Sequence, residues 1–298
     1  MTPLRFDGRT AIVTGAGGNP GLGRAHALLL AARGANVVVN DVGADPAAVA
    51  DEIRAAGGTA VANTVSVASE EGAAAIVAAA LDAFGGIDIL VNNAAISLAA
   101  PIDVMTAEDL SRHIAVNLMG AMWTCRAAWP HMKARGYGRI VNTTSAAMTG
   151  FANQAAYATS KGGLWSLTRA LAAEGAAFGI KVNAVSPGAF TRLVAAMLEE
   201  DSPLLQHSKA NLPAELASPV VAFLAHQDCP VTGECIDAVG GEVQRTLVAR
   251  TPGFTDHALT PETVAARWAE VMAAEAAQTV GIAAFDTSGW KLKPYEPR

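Results

Sequence analysis

The strongest constraint on the fold is the alternation of short apolar runs with helix-length segments over the first two-thirds of the chain. Strands that alternate with helices in this way predict βαβ units around a parallel sheet covered on both faces. The predicted strands are Thr10–Thr14, Asn36–Asn40, Ala60–Val65, Ile87–Asn92, Arg139–Thr144, Lys181–Ser186 and Glu234–Ala238. The predicted helices are Gly21–Arg33, Pro46–Ala56, Glu70–Phe84, Ala107–Ala134, Gln154–Phe178 and Pro213–His226.

Two regions interrupt this rhythm. Gly188–Asn211 is polar, and its pattern predicts an irregular loop. After Gly240, Thr260 and Pro261 predict the start of a helix that continues over Glu262–Ala277, and the proline-rich end, Lys291–Arg298, is expected to be extended. We expect one α/β domain over residues 1–245 and an extension over residues 246–298 that packs on the same domain or on a neighbouring subunit.

Composition narrows the class of protein. The 298 residues carry a formal net charge of −6, which gives no support for nucleic-acid binding. The positive mean hydropathy comes from alanine, and no apolar run is long enough to span a membrane. The N-terminus has no secretory pattern, so we expect a cytoplasmic protein. Neither the six histidines nor the three cysteines (Cys125, Cys229 and Cys235) show metal-ligand spacing, which predicts reduced thiols and no metal.

A glycine-rich segment joins the first predicted strand to the first predicted helix. It reads Thr14-Gly15-Ala16-Gly17-Gly18-Asn19-Pro20-Gly21-Leu22-Gly23. Glycines at such a turn let the backbone approach a pyrophosphate, whose charge is favoured at a helix N-terminus. In this strand–turn–helix context, the segment predicts dinucleotide binding.

Asp41 follows the second predicted strand, 18 residues after Gly23. An acid at this spacing can accept hydrogen bonds from the ribose hydroxyls of NAD. A carboxylate there repels the additional phosphate of NADP, and the sequence between Asn40 and Ala50 contains no arginine or lysine to offset it. The pattern therefore favours NAD as the cofactor.

Tyr157 and Lys161 stand four residues apart, which places them on one face of a helix. A free phenol has a pKa of about 10, and a nearby ammonium is expected to lower it toward the range of general acid–base catalysis. Ser145 lies 12 residues before Tyr157, just past a predicted strand. Its hydroxyl could hold a substrate oxygen while Tyr157 exchanges the proton.

Together these motifs resemble the short-chain dehydrogenases/reductases. The resemblance covers residues 8 to 240 and implies a single-domain, doubly wound Rossmann fold that moves hydride between NAD(P) and an alcohol or carbonyl. It implies that Ser145 orients the substrate, that Tyr157 is the acid–base, and that Lys161 binds the nicotinamide ribose and tunes Tyr157. It also implies that Asn117 supports a proton relay. The matching motifs are Thr14-Gly15 with Gly21-Leu22-Gly23, Asn92-Asn93-Ala94-Ala95, Asn117, Ser145, Tyr157 with Lys161, and Pro187-Gly188.

The resemblance also assigns a cofactor site. Asn92 would stabilise the sheet beside it, and Pro187, Gly188 and Thr191 would line the nicotinamide. The cofactor-binding residues that it implies are Gly15, Gly21, Leu22, Gly23, Asp41, Ser66, Asn93, Ala94, Tyr157, Lys161, Pro187, Gly188 and Thr191.

Three departures from the family pattern concern this cofactor site. The glycine turn carries about two extra residues around Asn19-Pro20. The usual acid for the adenine is missing, and Ser66 is the nearest polar substitute. Ala95 replaces a usual glycine.

A narrower resemblance concerns the hydroxyacyl-CoA branch of this family. Asn40-Asp41-Val42-Gly43 and Thr260-Pro261-Glu262 are similar to the (3R)-hydroxyacyl-CoA dehydrogenase domain of the peroxisomal multifunctional enzymes type 2. Some of those relatives also act on hydroxysteroids. The resemblance therefore implies an NAD-dependent dehydrogenase of a 3-hydroxyacyl-CoA or a hydroxysteroid.

The segment after Pro187-Gly188 favours a hydrophobic alcohol or acyl-CoA substrate. It carries Phe190, Leu193, Val194, Met197 and Leu198, whereas the candidate cations for CoA phosphates are scattered: Arg192, Lys209, Arg245 and Arg250. Two alternatives stay open: a dehydrogenase of another secondary alcohol, such as a polyol, sugar or aromatic alcohol, and a cofactor-sensing protein without turnover.

Apolar helix faces suggest self-association. They lie around Ala121–Trp129 and Leu164–Leu171. Together with the family resemblance, they predict a homodimer or homotetramer.

Overall fold

The structure is a computed structural model that describes residues 2–282, so the predicted extended end, Lys291–Arg298, lies outside the described residues. The strands are β1 (Thr10–Thr14), β2 (Asn36–Asn40), β3 (Thr59–Asn63), β4 (Ile89–Asn92), β5 (Gly138–Thr143), β6 (Ile180–Gly188), β7 (Cys235–Val239), β8 (Glu242–Thr246), β9 (Ala249–Arg250) and β10 (Gln278–Thr279). The α-helices are α1 (Leu22–Ala32), α2 (Pro46–Ala55), α3 (Glu70–Phe84), α4 (Ala107–His113), α5 (Gly120–Arg135), α6 (Ala155–Gly175), α7 (Arg192–Met197), α8 (Pro203–Asn211), α9 (Ser218–Ala225), α10 (Pro261–Ala266) and α11 (Trp268–Val271).

The main sheet has the strand order β3-β2-β1-β4-β5-β6-β7-β8. The strands from β1 to β7 pair in parallel, with Val13 opposite Val39 on one side and Val91 on the other. The chain first moves outward from β1 to β3 and then returns to place β4 on the other side of β1. This reversal creates a crevice at the carboxyl ends of β1 and β4, where ligands bind in doubly wound sheets. The predicted doubly wound Rossmann fold is confirmed.

Helices cover both faces of this sheet. α1, α2 and α9 contribute Leu30, Ile53 and Val221 to one buried cluster, which also contains Ala11 and Val13 of β1. α3 packs against α5 on the other face, and α6 packs against β5 and β6. Burial of every residue of β1 explains why the strand is apolar without alternation.

Local sequence signals set the helix ends. The Ser69 hydroxyl accepts a hydrogen bond from the Gly72 N–H at the start of α3, and Gly85 ends the helix in the left-handed conformation with φ 73°. Such capping satisfies main-chain groups that the helix leaves unpaired. The predicted bounds of β1, β2 and α3 are confirmed at both ends.

Two predicted elements need correction. Gly188–Asn211 is not an irregular loop, because α7 and α8 occupy much of it. The predicted helix over residues 107–134 is divided by a π-helical segment, Ile114–Met119, between α4 and α5. Such π segments occur within α-helices and are frequent at functional sites.

The chain divides into two compact units, Met1–Arg245 and Thr246–Arg298. In the second unit, β9 and β10 pair antiparallel. The Thr260 hydroxyl accepts from the Thr263 N–H and starts α10, as predicted. However, α10 ends at Ala266, so the predicted helix over Glu262–Ala277 is too long.

None of the helices in residues 2–282 combines the length and apolar character needed to cross a membrane.

Candidate active site

The glycine-rich turn is tightly folded against the loop after β4. Gly15 has φ +64°, and a Cβ atom on it would lie 2.7 Å from the Ala94 Cα atom. A Cβ atom on Gly23 would lie 2.2 Å from the Gly15 carbonyl oxygen. Both positions therefore require glycine, and the close packing leaves main-chain groups facing the crevice at the end of β1.

The N-terminus of α1 is open. Gly21 precedes the helix without a side-chain cap, and the first turn holds no acidic residue. By contrast, Asp45 caps α2 and Ser69 caps α3 with their side chains. Unpaired N–H groups and the positive end of the helix dipole fit an anionic group, such as the pyrophosphate of a dinucleotide.

Thr14 and Asn93 join the glycine turn to β4. The Thr14 hydroxyl accepts hydrogen bonds from the N–H groups of Asn93 (3.0 Å) and Ala94 (3.1 Å). The Asn93 side-chain amide donates to the carbonyl oxygens of Thr14 (2.9 Å) and Gly15 (3.0 Å). The structure thus brings Asn93 and Ala94 against Gly15, as the motif spacing predicts.

The Asp41 carboxylate holds main-chain groups on two segments. One oxygen accepts from the Gly17 N–H at 3.0 Å. The other accepts from the N–H groups of Gly43 (2.9 Å) and Ala44 (3.1 Å). Sequence spacing places Asp41 beside the turn but does not reveal these bonds, which join the glycine turn to the loop after β2.

Ser66 lies in the exposed loop after β3, where its hydroxyl accepts from the Ala68 N–H. Asn40, which the sequence analysis did not single out, supports this loop from a buried position. Its amide donates to the Asn63 side-chain oxygen and to the Val65 carbonyl, both at 2.8 Å. Asn40 therefore fixes the chain that leads into Ser66.

Pro187 and Gly188 form the carboxyl end of β6, which pairs with β7 there. Thr191 follows, and its hydroxyl caps α7 by accepting from the Val194 N–H at 3.2 Å. The next main-chain N–H, that of Arg192, donates to the Pro20 carbonyl oxygen at 3.2 Å. This bond brings the segment after β6 to the glycine turn.

Ser145, Tyr157 and Lys161 come together at the end of β5. Ser145 precedes a short 3₁₀ helix, where its hydroxyl accepts from the Ala147 N–H at 3.2 Å, and its side chain lies close enough to Tyr157 to affect the pKa of the phenol. The Lys161 ammonium lies 5.5 Å from the centroid of the Tyr157 ring and donates to the Thr143 carbonyl oxygen at 2.7 Å. Lys161 is 1% exposed, so its charge sits away from bulk water.

Burial controls the ionisation of this group. It raises the pKa of the Tyr157 phenol above its ordinary value, and the neighbouring Ser145 side chain opposes that rise. It lowers the pKa of Lys161 to about 7. The net pKa of Tyr157 is therefore raised rather than lowered as the sequence predicted, because desolvation of the phenol is the largest effect on it.

Asn117 lies in the π-helical segment and is buried. Its side-chain oxygen accepts from the Ile96 N–H (2.8 Å), and its amide donates to the Ile96 carbonyl (2.9 Å) and the Ser160 hydroxyl (3.2 Å). Ser160 donates to the Tyr157 carbonyl at 2.7 Å. Asn117 thus reaches the helix of Tyr157 through Ser160, a residue that the sequence analysis missed.

His113 is a second missed residue, buried one turn before Asn117. Its Nε2 accepts from the Leu98 N–H at 3.0 Å, and its Nδ1 donates to the Asp109 carbonyl at 2.7 Å. Asn117 and His113 together hold residues 96–98. No spacing signal in the sequence pairs a histidine with this loop.

Exposed apolar side chains flank the catalytic candidates. Leu98 (43% exposed) and Ile102 (62%) follow the loop held by Asn117, and Phe151 (51%) lies between Ser145 and Tyr157 in sequence. A hydrogen bond from the Ala100 N–H to the Asn153 carbonyl (2.8 Å) joins the two loops. The apolar side chains predicted to face substrate after β6 are partly buried: Phe190, Leu193, Val194, Met197 and Leu198.

Over residues 2–282, no group of three or more histidine, cysteine or acidic side chains is arranged to hold a metal ion. Cys125, Cys229 and Cys235 are buried free thiols.

Comparison with known proteins agrees with this geometry. A family model described as short chain dehydrogenase matches residues 9–202. A crystal structure of a short chain dehydrogenase from Mycobacterium avium superposes with a TM-score of 0.79 at 36% identity, covering 93% of this chain and 98% of that one. Fold and family of this kind bind NAD(P) at the crevice described above.

Three relatives carry more specific names. The peroxisomal multifunctional enzyme type 2 of Mus musculus is 40% identical over 91% of this chain, which spans 37% of that protein. The (2S)-[(R)-hydroxy(phenyl)methyl]succinyl-CoA dehydrogenase subunit of Thauera aromatica is 36% identical over 80% of this chain and 98% of its own length. Cyclohexanol dehydrogenase of an Acinetobacter species is 39% identical over 77% of this chain and 92% of its own length.

Proposed function

The chain belongs to the short-chain dehydrogenase family, and on that premise we propose that it transfers hydride between NAD and the secondary alcohol of a 3-hydroxyacyl-CoA or a hydroxysteroid. The observation that carries the oxidoreductase part is the convergence of Ser145, Tyr157 and Lys161 at the end of β5. The cofactor enters at the open N-terminus of α1, beside Asp41.

Each of the three side chains has a separate role in oxidation of the alcohol. The Ser145 hydroxyl hydrogen-bonds to the substrate oxygen and orients it, while the Tyr157 phenolate takes the hydroxyl proton. The chemistry supplied by bound NAD is acceptance of the hydride at its nicotinamide ring. The Lys161 ammonium binds the nicotinamide ribose and stabilises the Tyr157 phenolate.

Asp41 supports NAD over NADP. It is a carboxylate beside the turn, and it already accepts three main-chain hydrogen bonds. The negative charge would repel a phosphate on the adenosine ribose. The prediction of Ser66 as a contact to the adenine end also stays a proposal.

Exposed apolar side chains beside the catalytic candidates, which form an apolar rim, support a hydrophobic substrate. Leu98, Ile102 and Phe151 are exposed next to the loops that hold the catalytic candidates. Burying such side chains against a ligand contributes about 1.5–3 kcal/mol each. The Thauera relative is named as a dehydrogenase of a hydroxylated acyl-CoA thioester, which also supports this substrate class.

A second candidate substrate is a smaller cyclic alcohol. The Acinetobacter relative favours it, since that protein is a cyclohexanol dehydrogenase. An apolar rim serves a cyclic hydrocarbon as well as an acyl chain, so the two candidates differ in the size of the ligand and in the CoA phosphates.

A substrate panel tests the proposal. Full-length protein is assayed with NAD or NADP against a 3-hydroxyacyl-CoA, a hydroxysteroid, cyclohexanol and a polyol. We expect the highest kcat/KM with NAD and one of the first two alcohols. Higher efficiency with NADP would refute the cofactor assignment, and efficient turnover of cyclohexanol or the polyol alone would refute the substrate class.

We also propose a homodimer or homotetramer, supported by Met122 on α5, which is an exposed apolar side chain on a predicted interface helix. Light scattering at micromolar concentration tests this, and a monomer there would reject it. The predicted cytoplasmic location stays a prediction.

A further inference from the structure

Arg192 lies across the glycine-rich turn. Its main-chain N–H is fixed to the Pro20 carbonyl at 3.2 Å. Its Cδ atom lies 3.6 Å from the position that a Cβ atom on Gly18 would take. The side chain therefore leaves α7 in the direction of the turn rather than away from it.

The extra residues in the turn provide this contact. Asn19 and Pro20 lengthen the turn relative to the spacing of the family motif, and the Pro20 carbonyl is the acceptor for Arg192. The turn and the segment after β6 thus hold each other at a main-chain hydrogen bond, with the N-terminus of α1 next to it. This arrangement sets the base of the Arg192 side chain while leaving its end free.

The charge of Arg192 is available to a ligand. The residue is exposed, and within residues 2–282 its guanidinium has neither an ion pair nor a side-chain hydrogen bond. Arg24, on the first turn of α1, differs, because Glu52 accepts three hydrogen bonds from it, at 2.5, 2.7 and 3.2 Å. Lys209 and Arg245, two other candidate cations for phosphates, are paired with Glu200 and Glu234.

We propose that Arg192 binds the pyrophosphate of the dinucleotide cofactor beside the N-terminus of α1. A guanidinium forms two parallel hydrogen bonds with phosphate oxygens, whereas the helix terminus supplies main-chain N–H groups. The inference rests on the proposed dinucleotide cofactor and is independent of the alcohol substrate. It assigns Arg192 to the cofactor rather than to the phosphates of a CoA thioester.

Ligands that differ in their phosphates test the assignment. Dissociation constants for NADH, ADP, adenosine and coenzyme A are measured for the wild type, Arg192→Gln, Arg192→Lys and Arg24→Gln. A charge-assisted hydrogen bond contributes about 1–2 kcal/mol, so Arg192→Gln should weaken NADH and ADP about 5- to 30-fold. Adenosine should bind unchanged. Arg192→Lys should recover part of the loss, because lysine keeps the charge but not the paired geometry.

Arg24→Gln is the matched control, since it removes the same charge near the same helix from a residue engaged by Glu52. It should change each dissociation constant less than twofold. Equal weakening of NADH by both variants, equal weakening of ADP and adenosine, or an effect confined to coenzyme A would each overturn the proposal. If the wild type binds NADPH rather than NADH, the proposed cofactor fails, and the same series with NADPH still tests Arg192.

Discussion

The two halves of the site differ in what they present to a ligand. In the cofactor half, Thr14, Asn93 and Asp41 direct their side chains at main-chain groups and hold the glycine turn in place. The catalytic half combines a side-chain contact, Asn117 with Ser160, with bonds to main-chain groups, such as that of Lys161 to the Thr143 carbonyl. The first half presents backbone to its ligand, and the second presents side chains.

This difference predicts different consequences of substitution. A side chain in the cofactor half acts through the backbone that it holds, so its loss should change affinity and stability together. A side chain in the catalytic half faces the reacting atoms, so its loss should change the rate with less effect on binding. Lys161 combines both properties, because it is a buried charge as well as a neighbour of Tyr157.

The largest effect should come from Tyr157→Phe. Removing the acid–base hydroxyl should lower kcat about 100- to 10,000-fold while the dissociation constant for NADH changes little. Tyr137→Phe is the matched control, since Tyr137 directly precedes β5, at the end of that strand away from Ser145, with Arg9 and Arg139 at 3.7 and 4.3 Å from its ring centroid. It should retain full turnover. Near-normal kcat in Tyr157→Phe would contradict the assigned chemistry.

The second-largest effect should be a gain in the free energy of unfolding of Lys161→Met, a variant that we expect to be inactive. The folded state lowers the pKa of Lys161 from 10.5 to about 7, so the unfolded chain binds the proton more tightly. Burial of Lys161 therefore lowers the free energy of unfolding of the wild type by its full amount below pH 7. This loss of stability becomes smaller as the pH rises toward 10.5. Lys161→Met should gain on the order of 3 kcal/mol in unfolding free energy at pH 6, after the lost bond to Thr143 is deducted.

Urea denaturation of Lys161→Met at pH 6 and pH 9 measures this gain, which should shrink at the higher pH. Lys181→Met is the comparison variant, because Lys181 also donates to a main-chain carbonyl, that of Cys229, but is only partly buried. It should show no such gain. If Lys161→Met were less stable than the wild type at pH 6, the buried charge would not destabilise the folded state.

Sequence predicted the first half of the chain well, because its signals are local. β1 and β2 are apolar runs with abrupt polar ends, and Ser69 and Gly85 frame α3. α7 and α8 escaped prediction, since helices of six and nine residues carry little periodicity. Their placement depends on contacts such as Arg192 with Pro20, between residues far apart in sequence.

In the second unit, by contrast, the sequence predicted more helix than the structure has. Its alanine-rich sequence has high helix propensity, yet α10 stops at Ala266. Within this unit, Arg267 stacks on Phe254, and Thr251 donates to the Val271 carbonyl. These contacts and the pairing of β9 with β10 favour a shorter helix over the local propensity.

Motif spacing identified the side chains of the candidate site but not their electrostatics. Tyr157 and Lys161 were placed together by their separation of four residues. The direction of the pKa change at Tyr157 was predicted wrongly, because burial depends on the packed structure and not on the motif. Ser160 and His113 were missed because their partners, Asn117 and Leu98, are brought near by the fold.

The smallest effect, and the most direct test of the cofactor half, is expected from Thr14→Val. Valine keeps the shape of this buried side chain but removes the oxygen that accepts from the N–H groups of Asn93 and Ala94. The free energy of unfolding should fall by about 1–2 kcal/mol, and NADH should bind several-fold more weakly because the glycine turn is less firmly held. At saturating cofactor, kcat should stay within about threefold of the wild type, since Thr14 touches no reacting atom. Thr59→Val, on the exposed start of β3, controls for the change itself and should leave stability and NADH affinity unaltered. Urea titration and NADH fluorescence measure both quantities, and a large loss of kcat without a loss of affinity would show that the two halves of the site are not separable in this way.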